Sequence, residues 1–260
     1  MTQTKNIVLV HGGFVDGSGW RRVHDLLAAD GYRVTVVQNP TLSLAGDVLA
    51  TLRVLRAQDG PCVLAGHGYG GVVITEAGSH DAVAALVYIA GYLPDAYESV
   101  STLGLLPPAL PPQDGFLLLD REKFPETYAA DLPYAEARFL AGSQVPWGVD
   151  AAGGRVNRPA WRDKPTSCLV TADDRIIPAA AQHTMAARAG ATVTEIAASH
   201  AVHMSQPRVT ADIIRAAAQL GRTEKLGRTE KLGRTEKLGR TEKLGRTEKL
   251  GRTAEQEAGR

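Results

Sequence analysis

The chain has 260 residues, of which 44% are hydrophobic and 22% charged, and a net charge of +1. That length suits one α/β domain with a substantial core or two small domains, and the near-zero charge gives no basic signal for nucleic acid. No apolar run is long enough to span a bilayer. The first residues lead straight into a strand with no signal-peptide core, so the expectation is a cytoplasmic protein without a membrane or nucleic-acid partner. The two cysteines, Cys62 and Cys168, lie beside apolar strand-like runs and read as reduced core thiols. The charge is uneven: from Gly221 onward there are 12 Lys+Arg and 7 Asp+Glu, which leaves residues 1–220 at −4.

In chain order, Asn6 to Val10 is a continuous apolar run, the pattern of a buried parallel strand. A glycine-rich loop follows, from His11 to Trp20. Ser18 is expected to cap a helix carrying Trp20, Val23, Leu26 and Leu27 at helical spacing. Tyr32–Val37 reads as a strand, and Ser43 as the cap of a helix carrying Leu44, Val48, Leu52 and Leu55. After the break at Gly60-Pro61, Cys62 to Ala65 reads as a strand. It runs into Gly66-His67-Gly68-Tyr69-Gly70-Gly71 and a helix beginning near Val72. Val83–Ala90 is the next strand. This alternation predicts a mostly parallel, doubly wound sheet with helices on both faces and functional residues at the carboxyl ends of its strands.

From Pro94 to about Lys164 the pattern changes to clustered prolines and short amphipathic pieces, Glu122–Leu132 and Tyr134–Leu140, with Trp147 and Trp161 near the end. This reads as a helical cap inserted over the sheet edge, whose apolar residues either line a pocket for a hydrophobic small molecule or simply hold the cap down. Thr166–Thr171 and Thr192–Ile196 return to strand. They are followed by the loops Ala172–Pro178 and Ala197–His203, and a last helix is expected over roughly Gln206–Leu220.

Residues Gly221 to Leu250 are Gly-Arg-Thr-Glu-Lys-Leu repeated five times, ahead of a short end at Arg260. A period of six does not match the helical 3.6, so the leucines build no stripe. The repeat reads as a tandem extension rather than a dedicated basic interaction arm. Residues 1–220 are thus one domain, with the cap at about 94–164, and 221–260 a repetitive basic tail.

A strand, a tight turn flanked by glycines and a helix make a nucleophile elbow, G-x-S-x-G. Here the apex is Gly68, which has no nucleophile. Three strand-end loops then stand in the order elbow (Gly68), acid (Asp173 or Asp174) and histidine (His200). That order, with the His11-Gly12-Gly13-Phe14 loop, resembles the α/β-hydrolases, and within them small bacterial esterases distantly similar to plant methylesterases and hydroxynitrile lyases. The elbow matches their G-H-S-Y-G-G everywhere except at Gly68.

The resemblance implies His200 as general base. It implies Asp174 as its orienting acid, preferred to Asp173 because D-R-x-I-P looks like the acid loop. Backbone N–H groups of Gly13 and Tyr69 would form the oxyanion hole, and Phe14, Trp147 and Trp161 would contact substrate. His11, His67 and Trp20 are expected to be structural, and His203 to face the pocket or the surface. Tyr97, in a loop where relatives often have glycine, is read as a second change near the pocket.

The implied substrate is a small hydrophobic ester or lactone. No cofactor and no metal are implied, as there is no G-x-G-x-x-G after the first strand and no ligand cluster. Gly68 would leave the fold intact and stop acyl transfer. Two alternatives stand beside an impaired serine esterase: serine-independent His/Asp base chemistry, as in a lyase or cofactor-free oxygenase, and non-catalytic small-molecule binding.

Overall fold

The computed structural model describes residues 4–219; the repeat tail, 221–260, lies outside the described residues. Six strands form one parallel sheet: β1 (Asn6–Val10), β2 (Arg33–Val37), β3 (Cys62–His67), β4 (Val83–Ile89), β7 (Thr166–Thr171) and β8 (Thr192–Ile196). Their spatial order is β2-β1-β3-β4-β7-β8. Every residue of β1 and β3 is buried, whereas β8 at one edge is mostly exposed. The reason is that inner parallel strands are covered on both faces and edge strands are not.

Side chains alternate between two cores. Val8, Val10, Leu64 and Leu86 enter one, and Ile7, Leu9, Val63 and Val87 the other. The second core is closed by Trp20, by Val23 and Leu27 of α1 (Arg21–Ala29), and by Ile214 and Ala217 of a last helix over 207–219. On the opposite face α2 (Leu44–Arg56) packs on α3 (Gly70–Ala77). Ser43 caps α2 through Gly46 N–H. Ser18, by contrast, caps nothing. Asp16 accepts from Ser18 N–H and caps a 3₁₀ turn over Gly17–Trp20, because its carboxylate sits two residues earlier, where the chain is still extended.

The segment between β4 and β7 carries α4 (Phe124–Tyr128), α5 (Tyr134–Gly142) and α6 (Val149–Gly153). It is not purely helical: β5 (Phe116–Leu117) pairs antiparallel with β6 (Trp147–Gly148). Two-residue strands give no periodic signal in sequence, so this ribbon escapes a pattern reading. Phe124, Tyr128, Trp147, Ala151 and Val156 belong to the same buried cluster as one face of the sheet. Beyond β7, α7 (Ala179–Arg188) precedes β8, and α8 (Val202–Ser205) follows it.

Candidate active site

The chain passes from β1 out to β2 and returns to the other side of β1 as β3, so strand order reverses between β1 and β3. That crevice, at the carboxyl ends of the strands, is where open α/β sheets place their sites. The His11–Phe14 loop leaves β1 and the elbow leaves β3 directly beside it, as Val10 pairs with Gly66.

The elbow can be this tight only because of its glycines. A Cβ on Gly66 would lie 2.5 Å from Gly70 O, and one on Gly70 would lie 2.5 Å from Val10 O. Neither position tolerates a side chain, so α3 starts pressed against the sheet. At the apex, Gly68 has φ +54°, the left-handed region that most residues avoid. A Cβ built there lies 2.9 Å from His200 Nε2 and 3.4 Å from its Cε1. A side chain at the apex would therefore point at the histidine.

His200 Nδ1 donates to Asp174 Oδ2 at 2.8 Å, which leaves Nε2 turned toward Gly68. Asp174 is buried and fully engaged. Its Oδ1 accepts Ile176 N–H at 2.8 Å and Ile177 N–H at 2.9 Å, and its Oδ2 also accepts from Thr171 Oγ1 and Gln182 Nε2. Burial acts to raise its pKa. The electrostatic pull and hydrogen bond of His200, with the Ile177 and Ile176 amides, outweigh it and hold the carboxyl below the usual range. Asp173 is exposed and points its amide to Ala198 O instead.

His67 Nε2 donates to the His200 carbonyl at 2.8 Å. Its ring stands 4.5 Å from that of His200 and 4.1 Å from that of His203. Burial, reinforced by the neighbouring imidazoles His203 and His200, lowers the His67 pKa well below its ordinary value; burial brings His203 to about 3. Both rings are neutral at physiological pH. His203 thus faces neither pocket nor surface: it lies against His67 and Trp20 within the core. His11 is likewise buried; its Nε2 accepts Asn39 N–H and its Nδ1 donates to Gly12 O, which fixes the loop that carries Gly13.

A small cavity lies beside these groups. Of the residues singled out by sequence, Gly13, Phe14, Tyr69, Trp147 and His200 line it. Phe14 packs edge-on against Trp147 at 5.3 Å. The Tyr69 amide opens α3, where the helix N-terminus favours negative charge. The Tyr69 hydroxyl is tied away from the cavity, donating to the buried Asp47 at 2.7 Å.

Trp161 does not line the cavity. It is partly buried at the base of the insertion, where its Nε1 donates to Pro94 O. Tyr97 is 70% exposed and also absent from the lining. Its φ of +67° explains why glycine suits that loop, but the strain is local to the surface. Tyr92, Pro107, Tyr128 and Ile176 line the cavity without having been singled out. Tyr92 just follows β4, so a strand-end rule could have found it. Tyr128 lies in an insertion helix, whose placement over the strand ends has no local signal. Among the described residues, no three His, Cys, Asp or Glu side chains are grouped to hold a metal ion, and no helix is long and apolar enough to cross a membrane.

Residues 7–213 match the profile described as the alpha/beta hydrolase family. A carbendazim hydrolyzing esterase from Nocardioides sp. (strain SG-4G) is 33% identical over 124 residues, 42% of this chain and 50% of that protein. The match therefore spans half the length of that relative. Among solved structures, a pyrethroid hydrolase from Sphingobium faniae JZ-2 superposes with a TM-score of 0.72 at 23% identity, covering 83% of this chain and 98% of the other. Polyneuridine aldehyde esterase gives 0.72 at 18% identity over 82% and 99% of the two chains. A methylesterase from Arabidopsis gives 0.70 at 18% over 83% and 99%. These likenesses agree with the parallel sheet in fold, and with the family match over residues 7–213 the chain belongs to the alpha/beta hydrolase family.

Proposed function

We propose that this chain is a serine-type carboxylic ester hydrolase scaffold whose nucleophile position is occupied by glycine, so that it binds a small apolar ester and turns it over poorly. One observation carries the reading: the Cβ direction of Gly68 ends 2.9 Å from His200 Nε2, and His200 Nδ1 is held by Asp174. A hydroxyl at that position would pass its proton to Nε2 while its oxygen attacks the ester carbonyl. The carbonyl electrons would move onto an oxyanion facing the Gly13 and Tyr69 amides. His200 would return the proton to the departing alcohol, and water would release the acid by the same steps. Without the hydroxyl no acyl-enzyme forms. What remains, as in serine hydrolases stripped of a triad member, is about 10³–10⁴ over the uncatalysed rate. The carbendazim esterase, matched over half its length, supports ester-type substrates.

The test is turnover of 4-nitrophenyl acetate. Gly68→Ser raises kcat by about 10² or more over the unaltered chain; an unchanged rate in a folded variant contradicts the reading. A second reading rests on the intact His200–Asp174 pair, whose free Nε2 faces the cavity: His200 acting directly as a base on a bound substrate, with no serine. It predicts that the unaltered chain turns over a cyanohydrin or an acidic heteroaromatic and that His200→Ala abolishes this.

A further inference from the structure

Six buried side-chain polar atoms have no hydrogen-bond partner among the described residues, and two belong to residues that line the cavity, Tyr128 Oη and Trp147 Nε1. The hydroxyls of the other lining residues are committed, and His200 keeps only its Nε2 open. Tyr69 donates to Asp47, Tyr92 donates to Leu105 O at 2.9 Å, and His200 Nδ1 donates to Asp174. Tyr128 and Trp147 are each 1% exposed. A buried donor without a partner is costly and rare in native proteins, so two of them in residues that line one small cavity ask for an acceptor that arrives with the ligand.

The surroundings define the rest of that ligand. Tyr128 is stacked on Phe124 at 4.8 Å and stands edge-on to His200 at 4.9 Å. Trp147 packs against Phe14 and Tyr69. These walls are flat and aromatic, and no carboxylate or cationic Lys or Arg lines the cavity. Burial raises the Tyr128 phenol above its ordinary pKa, which keeps it a donor.

We infer that the cavity takes a neutral aromatic ester whose ring carries a hydrogen-bond acceptor, received by the Tyr128 hydroxyl with the Trp147 indole N–H as the second donor. This rests on the reading of the cavity as an ester site. The scissile carbonyl faces the Gly13 and Tyr69 amides, so the acceptor belongs to the ring. Sites built to hydrogen-bond a ligand discriminate strongly against the analogue that lacks the group. A purely apolar pocket does the reverse, because a ring nitrogen must be dehydrated without return.

The experiment uses the unaltered Gly68 chain, which cannot be acylated, and three nearly isosteric probes: methyl benzoate, methyl nicotinate and methyl isonicotinate. Binding is measured calorimetrically at pH 7.5. At least one pyridine ester binds about tenfold more tightly than methyl benzoate. Tyr128→Phe or Trp147→Phe returns the ratio toward one. Equal affinities, preference for methyl benzoate, a preference that survives both substitutions, or no binding of any probe overturns the inference. Failure of Gly68→Ser to hydrolyse esters counts against the function proposed above but leaves this binding ratio readable, so the two fail separately.

Discussion

A serine at position 68 costs stability before it adds chemistry. Its backbone is held at φ +54°, and its Cβ would press on the His200 ring at 2.9 Å. A non-glycine residue there carries about 1–3 kcal/mol of strain, and His200 must give way by a few tenths of an ångström. Gly68→Ser therefore lowers the thermal unfolding midpoint while it raises ester turnover, a pairing checked by melting and assaying the same preparation. In that variant, Asp174→Asn cuts kcat by about 10⁴, because an amide cannot hold Nδ1–H in the required tautomer. The buried histidines set a separate acid limit. His203 has a folded pKa of about 3 against an ordinary 6.5, so below pH 6.5 the unfolded chain binds a proton that the folded chain refuses. Stability thus falls as pH drops from 6.5 toward 3. Asp174, with its pKa also lowered, adds a loss in the same direction below the ordinary carboxyl value near 4. Unfolding midpoints between pH 7.5 and 4.5 should decline, and His203→Gln should flatten the upper part of that decline.

At the scale of elements, the insertion grips the histidine loop from both sides of His200. The Tyr128 carbonyl accepts Ala201 N–H at 3.0 Å. Asp131 accepts Ser199 N–H at 3.1 Å, the Ser199 hydroxyl, and Ser205 Oγ at 2.7 Å. The segment 128–131 thus fixes the loop that carries His200. Asp131→Ala removes three hydrogen bonds, each worth about 0.5–1.5 kcal/mol, and should speed amide hydrogen exchange at Ser199 and Ala201 while leaving β1 and β3 protected. Exchange unchanged at those two amides would contradict this coupling. The same elements show what was readable in advance. β7 and β8 were legible residue for residue because short apolar or alternating runs between turn residues have one reading. The elbow was legible because glycine spacing reports close backbone approach. The β5–β6 ribbon, the Asp16 cap and the grip of Asp131 were not, since each depends on neighbours distant in the chain.

For the whole molecule, the sheet brings four strand ends to one rim: β1 with the Gly13 loop, β3 with Gly68, β7 with Asp174 and β8 with His200. Family motifs in chain order made that convergence legible, and the geometry joins Asp174, His200 and the apex into one array. The pocket wall was half legible. Trp147 lines it and Trp161 does not, a difference that arises from which one the insertion folds over the strand ends. Tyr92 and Tyr128 needed the assembled fold. The central claim is that a single side chain separates this chain from a working serine hydrolase. The most direct measurement treats the unaltered chain and Gly68→Ser with a fluorophosphonate and reads intact mass, locating any adduct by peptide mapping. The account predicts one phosphonyl adduct on residue 68 of Gly68→Ser, lost when His200→Ala is added, and none on the unaltered chain. An unmodified Gly68→Ser protein with native folding, or an adduct on the unaltered chain, would contradict it.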